Sequence, residues 1–217
     1  MVEHDVHSKI IFSSSAAGYG DPVTTPIYEA DPKDPISPYG ISKHMVEQLL
    51  ETYSTAYDIN YVGLRYFNAA GADPLGRHGQ EKSATHIIAR VMESIRDRKV
   101  FTLFGTGLAT DDGTCVRDYV HVADIAKAHF YATEERVVPG FYNLSTGRGA
   151  SNLEIIAKCC TVSGSKPLAV IEAPTREGDP DILVANNEKF FKVSNYQNEY
   201  HIDDIIEHAW KWYNRAT

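Results

Sequence analysis

Residues 37–71 read SPYGISKHMVEQLLETYSTAYDINYVGLRYFNAAG, and the fold class follows from this stretch. Ser37 suits a helix N-cap, and Pro38 suits the first helical position, where its fixed φ and missing N–H cost nothing. Ile41, Met45, Leu49 and Tyr53, with Val46 and Leu50 beside them, recur at helical spacing. The spacing predicts an amphipathic helix from Pro38 to about Tyr57. INYVGLRYFNAAG (59–71) is apolar almost throughout and ends in small residues, as a buried strand does. Upstream, KIIFSSSAAGYG (9–20) begins with a short apolar run bounded by small residues, so it reads as a strand entering a loop. A strand, a helix and a strand in this order predict a parallel βαβ unit.

The pattern continues outward. DPVTTPIYEADPKDPISP (21–38) holds five prolines and reads as ordered turns. ATHIIARVMESIRD (84–97) reads as a helix, KVFTLFGTG (99–107) as a short strand, and VHVADIAKAHFYATEE (120–135) as a helix with Asp124 in its first turns. GFYNLSTGRGASNLEIIAKCCTVSG (140–164) reads as a strand, a loop and a helix capped by Ser151; LAVIEAP (168–174) reads as a strand. HIDDIIEHAWKWYNR (201–215) is a last amphipathic helix. The alternation predicts an α/β fold with a mainly parallel sheet.

Bulk properties narrow the function. A net charge of −8 argues against a nucleic-acid surface. There is no apolar run long enough to span a membrane, and the polar start MVEHDVHSKI is unlike a signal peptide. The cysteines (Cys115, Cys159, Cys160) fit neither a zinc spacing nor a disulfide framework, so no metal is expected and a cytoplasmic setting is.

Tyr39 and Lys43 lie four apart, so a helix puts them on one face. A tyrosine is a poor base near neutrality, but a nearby ammonium favours the phenolate, which can take a proton from an alcohol. Ser15 falls at a strand end, where open α/β sheets place ligands, and adds a hydroxyl. The spacing alone more often means a half-buried aromatic beside a solvated charge. The neighbouring segments discriminate.

FSSSAAGYGDP (12–22), SPYGISKHMVEQ (37–48), LRYFNAAGADP (64–74), DDGTCVRDYVHVADIAKAH (111–129), APTREGDPDILVAN (173–186) and AWKWY (209–213) together resemble the UDP-glucose 4-epimerases of the extended short-chain dehydrogenase/reductase family. The resemblance covers nearly the whole chain. It implies that Tyr39 removes the proton of the sugar 4-hydroxyl, that Lys43 assists it and holds the nicotinamide ribose, and that Ser15 hydrogen-bonds the same hydroxyl. With NAD as cofactor, carbon 4 is oxidised and then reduced from the other face. Ser15, Tyr39, Lys43 and Phe67 would contact the cofactor. For the UDP-sugar, the resemblance implies Arg117 and Arg176 at the diphosphate, Asn68 at the diphosphate or the sugar, and His86 near the phosphates. Thr102, Leu103 and Phe104 would run along the uracil, and Asp179 would meet the ribose. Leu183 falls where relatives decide whether an N-acetylated sugar fits. Arginine pairs suit a diphosphate, because guanidinium binds phosphate oxygens bidentately. For His86 a structural role remains an equal alternative.

The family's glycine-rich phosphate loop has no match in this sequence. GTGLAT (105–110) and GRGASN (147–152) lack the third glycine and come too late. By comparison with the family, the expectation is the C-terminal part of a Rossmann-like sheet, with the NAD phosphate-binding loop absent, plus a smaller α/β substrate-binding lobe. Residues 1–70 would hold the remaining dinucleotide side and the Ser/Tyr/Lys site. Residues 71–217 would be mainly the nucleotide-sugar lobe, with some elements returning to the first domain. An exposed sheet edge and apolar surface then predict a homodimer or association with a separate N-terminal half. An inactive UDP-sugar binder and a related nucleotide-sugar dehydratase or decarboxylase are the alternatives, the latter disfavoured by SSS where dehydratases carry an acidic pair.

Overall fold

The computed structural model describes residues 8–81, 85–175 and 180–215. Strand β1 (Ile10–Ser15) leads through a 3-10 turn (Ala16–Tyr19) and the proline-rich segment into helix α1 (Pro38–Tyr57). Strand β2 (Tyr61–Tyr66) returns parallel to β1, with Ser15 beside Tyr66. Strand β6 (Gly140–Leu144) adds in parallel to the far side of β2, giving the order β1-β2-β6.

The segment expected as one strand to Gly71 is two. β2 stops at Tyr66, the Phe67 N–H donates to Leu144 O (3.2 Å), and β3 (Asn68–Ala70) joins a second sheet. That sheet is centred on β5 (Val116–His121), which pairs with β3 and β9 (Ile182–Leu183) in parallel and with β7 (Gly149–Ser151) antiparallel. Phe67 therefore lies where the chain passes from one sheet to the other, at the carboxyl ends of β1 and β2. A third, two-stranded sheet pairs β4 (Phe101–Phe104) with β8 (Val170–Ala173).

The remaining helices are α2 (Ile87–Asp97), α3 (Val122–Ala132), α4 (Asn152–Ser163), α5 (Glu188–Ser194) and α6 (Ile202–Tyr213). Helices α2, α4 and α6 share one core with β4 and β5, through Val91, Met92, Ile155, Ile205 and Tyr119. Helices α3 and α5 cover β2 and β6 in a second core around Leu64, Leu144 and Phe190. None of the helices among the described residues is long and apolar enough to cross a membrane.

Two expectations are corrected. Val120 and His121 end β5 rather than open α3; the His121 ring nitrogen Nδ1 accepts the Ala123 N–H (3.0 Å) and caps the helix that follows. The apolar stripe of α1 does not enter a core: Ile41, Met45, Leu49 and Tyr53 are exposed, and Val46 and Leu50 are only half-buried. The only buried residues of α1 are Gly40 and Glu47, so this helix is held to the sheet by charge and close backbone approach instead.

Candidate functional site

Two features aim the start of α1 at the end of β1. Ser37 Oγ accepts the Gly40 N–H (3.1 Å), with Pro38 at the first helical position. At Gly40, an added Cβ would stand 2.4 Å from Ala17 O, so only glycine lets the first turn press against the 3-10 turn after Ser15. Tyr39 is thereby presented to solvent, 57% exposed, beside the carboxyl end of β1. Lys43 Nζ donates to Ser13 O (3.0 Å) and stands 5.6 Å from the Tyr39 ring centroid and 5.3 Å from that of Phe12. Ser15 Oγ accepts the Ala17 N–H (3.2 Å), which leaves its own hydroxyl proton to donate. Phe67 is buried near Tyr19, with ring centroids 6.5 Å apart.

Beneath this edge lies a polar network the sequence reading missed. Arg65 on β2 grips the Glu47 carboxylate with two bonds of 2.8 Å, Nε to Oε1 and Nη2 to Oε2. Ser14 Oγ donates to the same carboxylate (2.6 Å), and Arg65 Nη1 donates to Tyr19 Oη (3.0 Å), which donates on to Asn143 Oδ1 (2.6 Å). Burial would raise the Glu47 carboxyl, but hydrogen bonds and charge from Arg65, with Ser14 adding, hold it below the ordinary glutamate value. Glu47 falls four residues after Lys43, on the side of α1 away from the apolar stripe. A lone acid on the sheet-facing side, with an arginine inside an apolar strand, was the available signal.

The second part of the site is a cavity of about 180 Å³ between β3, β5, α2 and β4. Asn68, His86, Thr102, Leu103, Phe104 and Arg117 line it together, although they come from four separate segments. Asn68 Nδ2 donates to Asp118 O (3.2 Å). Arg117 is buried at the cavity wall, where Nη1 donates to Val116 O (2.9 Å) and Asp181 O (3.3 Å). Its neighbour Asp118 points the opposite way, as strand alternation requires. Asp118 accepts Thr146 N–H (2.8 Å), Thr146 Oγ–H (2.7 Å) and Gly147 N–H (2.9 Å), and burial still pushes its carboxyl up to about 6. This anchor ties the turn after β6 to β5 and so fixes the strand that carries Arg117. Leu183 sits beside Arg117 in the β5–β9 register and packs on the Phe67 cluster rather than lining the cavity. His86 is exposed as the N-cap of α2 and makes no side-chain cap bond. Arg176 and Asp179 lie outside the described residues. Arg90, one turn after His86 on α2, also lines the cavity and was not anticipated; its spacing of four from His86 was the signal. Among the described residues, no group of three or more His, Cys, Asp or Glu is arranged to hold a metal ion.

Comparison with known proteins agrees with this geometry. Residues 1–145 match the NAD dependent epimerase/dehydratase family. A UDP-glucose 4-epimerase of Halalkalibacterium halodurans is 43% identical over 98% of this chain and 65% of its own length. One from Lacticaseibacillus casei is 40% identical over 94% of this chain and 63% of its own length. The chain thus spans slightly under two thirds of these relatives. Among solved structures, the UDP-glucose 4-epimerase of Bifidobacterium longum in complex with NAD+ and UDP superposes with a TM-score of 0.89 at 36% identity, covering 97% of this chain and 64% of that one. The Brucella ovis UDP-glucose 4-epimerase in complex with NAD gives 0.88 at 39% identity, covering 95% and 65%. With the strand-end serine, the Tyr/Lys helix and the arginine-lined cavity on one α/β frame, this chain belongs to the NAD dependent epimerase/dehydratase family.

Proposed function

We propose that this chain carries the substrate and proton-transfer part of a UDP-glucose/UDP-galactose 4-epimerase. The observation that carries the reading is the convergence of six separate residues on one cavity, lined by arginine in an acidic protein. In this reading the diphosphate lies against Arg117 and Asn68, the uracil runs along Thr102 to Phe104, and Arg176, Asp179 and His86 complete the ligand shell. Leu183 borders the sugar through its place beside Arg117 and Phe67. Ser15 donates to the sugar 4-hydroxyl, orienting it, and Tyr39 takes its proton on oxidation and returns it on reduction. The keto sugar turns over between these two steps, so the hydroxyl is restored with inverted configuration.

The residues present fit the nicotinamide end of NAD. Lys43 uses one donor on Ser13 O and has two more for ribose hydroxyls, while Phe67 offers an apolar floor. NAD, when bound, supplies the two-electron oxidation and re-reduction at carbon 4. Residues 1–70 form the dinucleotide side and residues 71–217 mainly the nucleotide-sugar lobe. The exposed stripe of α1 is the surface for a homodimer or for a separate N-terminal half, since each apolar side chain there gains about 1.5–3 kcal/mol on full burial. The reading places the protein in the cytoplasm. Completed by a separate N-terminal dinucleotide-binding half and supplied with NAD and UDP-galactose, the protein should form UDP-glucose, and Tyr39→Phe should slow the reaction by about 10²–10⁴. Unchanged turnover in Tyr39→Phe would remove the tyrosine from the chemistry.

A further inference from the structure

One polar side chain in the cavity is not accounted for by the diphosphate. Asn152, the first residue of α4, lines the cavity together with Asn68 and Arg117. Its backbone is fixed on two sides. The Asn152 N–H donates to Cys115 O (3.1 Å), and Ser151 Oγ accepts the Glu154 N–H (3.1 Å), capping the helix. Among the described residues the Asn152 side-chain amide makes no hydrogen bond, whereas Asn68 spends a donor on Asp118 O (3.2 Å). Much of the remaining lining is apolar, with Ile88, Phe101 and Leu103. A half-buried amide brings two donors and an acceptor, and leaving them unmet in such a cavity is unfavourable.

The sheet around β5 indicates which part of a ligand this amide meets. On one side of β5 runs β3, which carries Asn68, and on the other runs β7, which ends at Ser151. Asn68 and Asn152 therefore reach the cavity from opposite sides of the strand that carries Arg117. Cys115, whose carbonyl holds Asn152, lies next to Gly105: a Cβ there would stand 3.6 Å from Cys115 Sγ. Gly105 directly follows β4. With the diphosphate against Asn68 and Arg117, Asn152 belongs to the nucleoside end, beside the strand assigned to the base.

We propose that Asn152 is a specificity-determining residue whose side-chain amide pairs with the imide edge of uracil. The inference rests on the nucleotide-sugar reading above. A neutral amide is a weaker partner for phosphate oxygens than a guanidinium. The imide edge is an N–H flanked by two carbonyls. An amide matches it with two bonds: its oxygen accepts N3–H while its nitrogen donates to a flanking carbonyl. The two carbonyls are alike as acceptors, so the match holds with either one. A base whose N3 proton is blocked loses the pair.

Calorimetric titration with UDP, 3-methyl-UDP and inorganic pyrophosphate tests it, on the wild type and on Asn152→Ala. Alanine suits a helix, and a urea midpoint equal to the wild type establishes that the variant is folded; otherwise Asn152→Ser takes its place. Asn152→Ala should lose about tenfold in affinity for UDP, the scale of one or two neutral hydrogen bonds, and nothing for pyrophosphate. Methylation removes the N3 proton, so the wild type should bind 3-methyl-UDP about tenfold more weakly than UDP. The variant should bind the two nucleotides alike. Unchanged UDP affinity in Asn152→Ala overturns the proposal. So does an equal loss for pyrophosphate, which would assign Asn152 to the phosphates, or a methylation penalty as large in the variant as in the wild type. Absence of UDP binding by the wild type is a different result and overturns the nucleotide-sugar reading itself.

Discussion

Removing one partner of the Glu47–Arg65 pair should be among the most damaging single changes in this protein. Both side chains are buried, at 3% and 5% exposure, and α1 buries nothing else but Gly40. Arg65→Met deletes two charge-assisted hydrogen bonds of 2.8 Å to Glu47 and one of 3.0 Å to Tyr19 Oη. At about 1.5–3 kcal/mol for each charged bond, the Glu47 contacts alone amount to roughly 3–6 kcal/mol. An independent figure, about 3–5 kcal/mol for leaving a buried charge unpaired, agrees. With a urea m-value of about 3 kcal/mol/M, at the upper end for small proteins, the midpoint should fall by about 1–2 M. Circular dichroism during urea unfolding measures it. The double variant Glu47→Leu/Arg65→Met leaves no buried charge and should recover at least half the loss, because apolar replacement of a whole buried pair is often neutral. A midpoint shift under about 0.3 M for Arg65→Met, or a double variant as unstable as the sum of the singles, would refute the reasoning.

Two further outcomes are expected. His121 is fully buried, its Nε2 is 3.0 Å from His208 Nδ1, and burial with the charge of His208 pushes it down to about 4, against the pull of Asp124, Asp204 and Asp73. A histidine lowered on folding stays neutral in the native state while the unfolded chain protonates, so stability should decline as pH falls from about 6.5 to about 4. His121→Asn, which keeps an acceptor for the Ala123 N–H, should flatten that decline in urea midpoints measured across the window; an identical pH slope would exclude His121 as its source. The exposed α1 stripe predicts association, so Met45→Glu with Leu49→Glu should shift sedimentation toward a smaller species. If the pair of changes leaves the sedimentation coefficient unaltered, α1 is not the contact.

Local signals were the legible ones. Ser37 and Ser151 cap their helices with side-chain bonds to Gly40 N and Glu154 N, because capping is decided within a few residues. The cavity residues could be named because their segments resemble a family, not because spacing placed Asn68 near Phe104. Other features depend on distant partners. The periodicity of Ile41, Met45 and Leu49 identifies a face but says nothing of what covers it, so the stripe's exposure was not visible. Strand β5 is not legible in VRDYVH (116–121), because Arg117, Asp118 and His121 interrupt the apolar run expected of a buried strand. Each is satisfied by a group far along the chain: Asp181 O for Arg117, Thr146 and Gly147 for Asp118, His208 for His121. The break at Phe67 depends likewise on distant Leu144, whose carbonyl accepts the Phe67 N–H.

The account's central claim is that one continuous site runs from the Tyr39–Ser15 edge to the β4 edge. A crystal structure of the protein with UDP-glucose tests it most directly. The uracil should lie along Thr102–Phe104 and the diphosphate against Arg117, with the sugar 4-hydroxyl in hydrogen-bond reach of both Ser15 Oγ and Tyr39 Oη. A UDP-glucose seated outside this cavity, or seated in it with the 4-hydroxyl turned away from Tyr39, would contradict the account.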